Sequence, residues 1–525
     1  MPNLRMRRGC AAGMLTPVIA EQNIDAMDPA QLRELTARLL AEVKHKNALI
    51  DKLTHENAVL KRLKFAAQSE RFNAEQRSLL EETLDADLQA VAEEIEQLET
   101  TAAGKPPRQQ PKRHPLPANL PRREVRHEPE STACACGCQM KRIGEDVAEK
   151  LDYVPGVFTV ERHIRGKWAC AQCEKLVQAP VPPHVIDKGI PTAGLLAQVL
   201  VAKYADHLPL YRQEGIFARA GFAIPRSTLA QWVGSAGVQL QPLVDAMRDD
   251  LLRRQVLHAD ETPVAMLDPG AGKTKRAYLW SYCSTSFDRD RLVVFDFADG
   301  RAGRHAMEFL GHPGERAWRG ALVCDDYSGY KALFAQGITE AGCLAHARRK
   351  FHELWANHKS TLAEQALALF ARLYEIEREV ADLAADERRR IRQLKARPAA
   401  DALHAWLIAH RQKVPPGSAT AKAMDYSLGR WAALVRYIDD GNLPADNNWV
   451  ENQLRPIAIG RNNWLFAGSL RAGKRAAAVM SLVHSARLNG HEPHAYLKDI
   501  MQRLPTQPAS RIGELLPHRW QPLQA

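Results

Sequence analysis

The sequence predicts a multidomain α+β protein: N-terminal coiled-coil helices, a small zinc-binding β segment, a helix-turn-helix, and a mixed α/β domain that carries a helical insertion. Three observations lead there. Its 525 residues exceed what one hydrophobic core serves. A leucine ladder at heptad spacing opens the chain, and five of the nine cysteines crowd between Cys134 and Cys173. Past Arg253 the apolar pattern changes from helical stripes to short runs that end in aspartate.

Charge bounds the partners. A formal net charge of +11 and a pI near 9.2 favour a polyanion such as nucleic acid. No stretch approaches the roughly 18 to 20 apolar residues of a membrane span, and no signal-peptide pattern opens the sequence. No membrane partner is therefore expected, and the location is expected to be cytoplasmic and nucleoid-associated. Residues 1–23 lack periodicity and read as a disordered lead.

The ladder runs Leu32, Leu39, Lys46, Leu53, Leu60, flanked by Leu35, Val43, Ile50 and Leu63. Apolar residues at that spacing form the seam of a coiled coil, and polar Lys46 and Asn57 within it favour one register and strand number. A second ladder, Leu84, Leu88, Val91, Ile95 and Leu98, lies on a strongly acidic helix. The two helices pair either between chains, as a homodimer or higher homo-oligomer, or with each other as a hairpin. Six prolines interleaved with Lys105, Arg108, Lys112, Arg113, Arg122, Arg123 and Arg126 make an extended basic linker, suited to a phosphate backbone or serving as a spacer.

Cys134-Ala-Cys136-Gly-Cys138 and Cys170-Ala-Gln-Cys173 flank about thirty strand-like residues. Paired thiolates on two tight turns suit tetrahedral Zn2+. Cys134, Cys136, Cys170 and Cys173 are the expected ligands, with Cys138 able to replace either of the first two. Next come three helical stretches, the second ended by Gly221 and the third opened by Arg226-Ser227-Thr228. Helix, glycine turn and helix suggest a helix-turn-helix whose last helix enters a DNA groove through Arg226, Ser227 and Thr228; three-helix packing without DNA is the alternative.

Residues 255–260 form an apolar run ending in Asp260, and residues 320–325 another ending in Asp325, with strand candidates at 276–284 and 292–297 between them. If adjacent in one sheet, the runs bring both carboxylates to one edge. A phosphodiester resists attack through its charge and poor leaving group, and two hard divalent ions held by carboxylates offset both. Glu451 supplies a third acid, and Arg455, one helical turn on, faces the same side toward phosphate. Asp326 competes with Asp325, but strand alternation points neighbours apart. Arg461 is a further candidate phosphate contact, while Arg388 to Arg392 read as a solvated basic face. Cys343-x-x-His346 alone offers too few ligands for structural zinc.

Four stretches together carry a resemblance: His258-Ala-Asp260-Glu-Thr-Pro263, Cys324-Asp325-Asp326-Tyr327-Ser-Gly-Tyr330, Gly342-Cys343-Leu-Ala-His346-Ala-Arg-Arg-Lys-Phe351 and Asp446-Asn-Asn-Trp-Val-Glu451-Asn-Gln-Leu-Arg455-Pro456. From about Leu32 to Leu497 the chain resembles the insertion sequence 66 family of bacterial transposases. The resemblance implies a ribonuclease-H-like catalytic domain with an Asp-Asp-Glu triad, here Asp260, Asp325 and Glu451, holding Mg2+ or Mn2+. It implies cleavage at the element's ends and strand transfer into target DNA, with terminal inverted repeats and target DNA as partners and accessory proteins of the same element possible. A DNA-binding repressor or architectural protein with an inert catalytic-like domain, and a structure-specific nuclease of the same fold, are the rival readings. The expected division is coiled coil at 24–104, linker at 105–128, zinc-binding domain at 129–183, helix-turn-helix at 184–250, catalytic domain at 251–470 with its insertion near 355–440, and a helical region at 471–525.

Overall fold

A computed structural model describes residues 28–66, 74–99, 115–154, 156–186, 189–268, 273–311 and 317–523. The expected lead, the Leu63 side chain and the linker up to residue 114 lie outside the described residues. The chain divides into two compact units.

The first unit comprises Met1–Val199, Leu210–Gln239 and Lys498–Ile512. Helices α1 (Pro29–Ala66) and α2 (Ala74–Glu99) form a hairpin. Leu53 and Leu60 of α1 are buried, whereas Leu39, Leu40 and Val43 near its start are exposed. On α2, Leu79, Leu80, Leu84, Ala86, Ala90 and Val91 are all buried. The strands β1 (Arg122–His127), β2 (Lys141–Val154), β3 (Val157–Ala169) and β4 (Leu176–Gln178) make a small mixed sheet in which β3 pairs with all three others. Residues 122–127, read from the sequence as linker, thus lie parallel to β3. Phe158 of β3 packs against Tyr153, Phe217 and Phe222 at 4.6, 5.5 and 5.6 Å between ring centres, which seats the sheet on a helical layer.

That layer holds the three expected helices, α3 (Ala193–Tyr204), α4 (Leu210–Arg219) and α5 (Arg226–Leu251), of which α3 and α5 are each shared between the units. Gly221 follows α4 at φ +95°, the left-handed conformation that glycine adopts without steric cost. The acids of α2 are spent on this layer. Glu82 accepts the Leu210 N–H at 3.0 Å at the start of α4, where a carboxylate complements the helix dipole. Glu81 holds the Arg226 guanidinium at 2.8 Å and Glu93 accepts from Gln239 at 2.8 Å. A Cβ at Gly234 would stand 2.3 Å from the Ala86 carbonyl oxygen, so glycine is what lets α5 cross α2 this closely.

The second unit comprises Leu200–Pro209, Leu240–Leu497 and Gly513–Ala525. Its centre is a five-stranded sheet ordered β7-β6-β5-β8-β9, from β5 (Val256–Asp268), β6 (Lys273–Cys283), β7 (Val293–Ala298), β8 (Ala321–Cys324) and β9 (Thr339–Gly342). The first three run antiparallel, and β5, β8 and β9 run parallel. This is the mixed α/β domain expected. One detail differs: Asp260 lies inside its strand, because β6 pairs with β5 out to Asp268.

Two short helices, α6 (Arg304–Leu310) and α7 (Lys331–Ala335), flank β8. After β9 comes the helical insertion: α8 (Leu344–His358), α9 (Thr361–Val380), α10 (Ala385–Ile391), α11 (Arg397–Arg411), α12 (Ala419–Gly429) and α13 (Trp431–Val435). Phe351, Phe370, Leu373, Leu403, Leu407 and Met424 fill its core. Arg388 and Arg392, expected on a solvated face, are buried instead. Arg392 pairs with Glu377 at 2.6 Å and donates to the carbonyls of Tyr437, Asp440 and Leu443; Arg388 donates to those of Val380, Ala381, Leu383 and Gly441. A guanidinium has five donors, enough to satisfy several carbonyls left open at helix ends. The chain then returns through α14 (Asn448–Gly460), which packs on β5 and β6, α15 (Leu470–Leu488) on β7, and α16 (Pro493–Arg503).

Candidate active site and candidate metal centre

Strand pairing brings the two aspartates together. His258 of β5 pairs with Val323 of β8 in parallel register, and two further residues along each strand stand Asp260 and Asp325. Asp260 and Asp325 thus follow the same end of the paired segment of two neighbouring strands, whose backbones lie about 4.8 Å apart in a sheet. Asp325 is half-buried, and its carboxylate accepts the Tyr327 N–H at 2.9 Å. Asp326 is exposed, lies 3.5 Å from Arg430 and lines the same cleft as Asp325.

The third acid arrives by an anchored helix. Asn447, immediately before α14, donates its side-chain N–H to the Ala259 carbonyl at 2.9 Å and contacts His258 Nδ1 at 2.8 Å. Its backbone N–H donates to Cys343 Sγ at 3.1 Å. These bonds fix the start of α14 against residues 258–259 of β5, and Glu451 stands in the first turn of that helix. Burial, then repulsion from Glu261, Asp325 and Glu451, pushes the Asp260 carboxyl well above the usual carboxylate range. Close carboxylates with no cation among them are costly, and such crowding marks functional sites. Burial also pulls the His258 imidazole down to about 4, so this histidine is neutral.

Cationic side chains rim the acids. A cleft of about 530 Å3 is lined by Arg301, Asp325, Tyr327, His346, Arg349 and Lys350, among others. Arg301 donates to buried Glu261 at 2.6 Å and stacks over Tyr327 at 3.9 Å from its ring centre; Tyr330 donates to the other Glu261 oxygen at 2.8 Å. Arg349 donates to Glu451 Oε2 at 3.2 Å. His346 Nδ1 lies 3.7 Å from Glu451 Oε1, and Cys343, His346 and Glu451 place ligand atoms within 4.8 Å of one another. Sequence reasoning missed Asn447, Arg301, Arg349 and the His346 to Glu451 approach. The one available signal was position: His346, Arg349, Lys350 and Glu353 follow a helical stripe.

The expected DNA contacts divide. Ser227 and Arg455 are exposed and Thr228 is half-buried. Arg226 is held by Glu81, and Arg461 donates to Thr262 and to the Pro263 carbonyl. Ser227 lies within the first turn of α5, which begins at Arg226, two residues before the Thr228 start that a cap by Ser227 would require.

The thiols form a separate centre. Cys134, Cys136, Cys170 and Cys173 bring their sulfurs within 4.8 Å of one another. Sγ separations are 3.1 Å for Cys134 and Cys173, 3.6 Å for Cys136 and Cys170, and 3.9 Å for Cys136 and Cys173. Tetrahedral Zn2+ with bonds near 2.3 Å sets sulfurs about 3.8 Å apart, so the donor set fits. Cys138, the open alternative, turns to Gln172 at 2.8 Å. The backbone N–H groups of Cys173 and Gln172 pull the Cys170 thiol down to about 6, and that of Cys136 lowers Cys134. Each tight turn thus favours thiolate on its leading cysteine, the form that binds metal.

Among the described residues no helix is long and apolar enough to cross a membrane. The Transposase IS66 family matches residues 188–475. The zinc-finger binding domain of transposase IS66 matches 131–174, the IS66 C-terminal element 481–518, and a family described as the transposase C of IS166 homeodomain 52–125. Uncharacterized protein y4qI of Sinorhizobium fredii (strain NBRC 101917 / NGR234) is 37% identical over 506 residues, spanning 93% of this chain and 92% of its own. Uncharacterized protein y4jD of the same strain is 36% identical over 423 residues, spanning 77% of this chain and 81% of its own. The catalytic-domain match covers more than half of the sequence and the motifs fall inside it, so this chain belongs to the IS66 family of transposases.

Proposed function

We propose that this chain cuts DNA at the ends of an insertion sequence and joins those ends to target DNA, with Asp260, Asp325 and Glu451 as its catalytic carboxylates. The observation that supports the reading is the crowding at Asp260, whose carboxyl is raised by burial and by repulsion from Glu261, Asp325 and Glu451. Carboxylate oxygens are the donors Mg2+ and Mn2+ take, and Glu451 Oε1 is buried without a hydrogen-bond partner. Asp260, Asp325 and Glu451 would hold the ions, whose chemistry is to activate an attacking oxygen and neutralise charge on the departing one.

The protein's own groups supply the rest. Arg301, Arg349 and Lys350 line the cleft beside Asp325 and orient the phosphodiester. Ser227, Thr228 and Arg455 contact DNA directly; Arg226 and Arg461 position the elements that carry or flank those contacts. The four-cysteine centre holds structural Zn2+ and shapes the β segment that reads terminal repeats. Exposed Leu39, Leu40 and Val43 on α1 join chains into a homodimer or higher oligomer, so that two ends are handled together. Accessory proteins of the element complete the partner set, and the site of action is the nucleoid.

The test is a strand-cleavage and strand-transfer assay on labelled element ends in Mg2+ or Mn2+. Wild type cuts and joins; Asp260→Asn, Asp325→Asn and Glu451→Gln each bind the ends without cutting. Binding without metal-dependent nicking by the wild type would make the chain a repressor or architectural protein, and cutting without joining would make it a nuclease.

A further inference from the structure

We propose that His346 is a nitrogen ligand of the ion held by Glu451, which favours Mn2+ over Mg2+ at that one position; this rests on the catalytic reading above. His346 Nδ1 and Glu451 Oε1 face each other at 3.7 Å, and both atoms are shielded from solvent with no hydrogen-bond partner. Two donors on one ion, each bond about 2.1 Å, stand at most about 4.2 Å apart. The observed spacing lies inside that span and beyond hydrogen-bond reach, which ends near 3.2 Å.

The surroundings hold the pair for this role. Arg349 occupies only Oε2 of Glu451, which leaves Oε1 directed at the imidazole. His346 also lines the cleft that Asp325 lines, so the pair stands at the edge of the acidic site. Cys343 is the third donor of the cluster, yet its sulfur is wholly buried and accepts the Asn447 N–H. It is a positioning residue that ties α8 to the start of α14. Nitrogen donors favour borderline transition ions, whereas Mg2+ keeps to oxygen.

The experiment is pulsed electron paramagnetic resonance of full-length, zinc-loaded protein titrated with Mn2+ alone. Wild type is expected to show nitrogen modulation from a bound imidazole, and labelling the histidines with 15N changes its frequencies without any substitution. His346→Ala removes the modulation and weakens Mn2+ binding at least about tenfold; Cys343→Ser keeps it. Mn2+ bound with no nitrogen coupling, or coupling that survives His346→Ala, overturns the assignment while leaving the carboxylate site intact. Wild type that binds no Mn2+ and fails to nick DNA would sink the catalytic reading as well.

Discussion

Asp260 carries the electrostatic load of the site, and the load has a sign. Burial and three neighbouring acids raise its carboxyl well above the usual range. In the fold this group keeps its proton at pH values where the unfolded chain has lost it, so the native state binds more protons and stability falls as pH rises through that window. The cost is absent below the unfolded value near 3.9 and full above the raised folded one. Asp260→Asn keeps an oxygen for the Glu261 N–H, bonded at 2.9 Å, while deleting the charge. In metal-free protein it should melt at a higher temperature than wild type at pH 8, with the gain shrinking toward pH 4. Added Mn2+ should reverse the order, because wild type gains binding energy that the variant lacks. Scanning calorimetry across pH, with and without Mn2+, checks both signs; a variant less stable at pH 8 without metal would contradict the crowding argument.

Glu261, next in sequence, has a different role. Its side chain is 1% exposed and accepts from Arg301 and Tyr330. Glu261→Ala strands a wholly buried phenol and a partly exposed guanidinium, a loss of about 2 to 4 kcal/mol once the Arg301 exposure is discounted. Urea denaturation measures it, and a loss under about 0.5 kcal/mol, the scale of ordinary surface substitutions, would remove the network from the account. The three proposed acids stand out in the sequence because each closes or follows an apolar run or sits in a helical motif. Arg301 and Asn447 do not, since each gains meaning only from a partner tens to hundreds of residues away.

Elements explain where local reading succeeded. The paired cysteines were legible because a thiol turn is a local structure, complete within five residues. What the sequence left open, whether Cys138 replaces Cys134 or Cys136, depends on which sulfurs the β2–β3 hairpin carries toward Cys170, a matter of register. Cys170→Ser should abolish bound zinc and unfold the small sheet, and Cys138→Ser should retain one zinc per chain. Metal analysis of the two purified variants decides between the cysteines, and equal zinc loss would reopen Cys138 as a ligand. The basic run at Arg388 to Arg392 misled for the opposite reason. Charge alone favours solvent, but these side chains lie where helix ends leave carbonyls unmet. The acids of α2 show the same pattern: a surface in isolation, they are anchoring groups once α4 and α5 are present.

At the scale of the whole molecule, α1 sets apart two uses of one heptad ladder. Leu53 and Leu60 are buried within the chain's own hairpin, while Leu39, Leu40 and Val43 are exposed at 39, 57 and 52%. On the proposed function this exposed leucine and valine is where a second chain pairs, and the Glu42 to Lys46 pair at 3.2 Å borders that seam. Each fully buried leucine or valine contributes about 1.5 to 3 kcal/mol, so three from each partner suffice for a specific association. The double substitution Leu39→Glu with Val43→Glu places like charges along the seam on both chains. Light scattering should then report the single-chain mass of 58.6 kDa in place of a multiple of it. Single-end nicking should persist, because the carboxylate cleft lies within one chain, while concerted joining of two ends is lost. If the wild type already scatters as a monomer, the exposed seam serves some other partner; if the variant stays associated, a different surface holds the chains together.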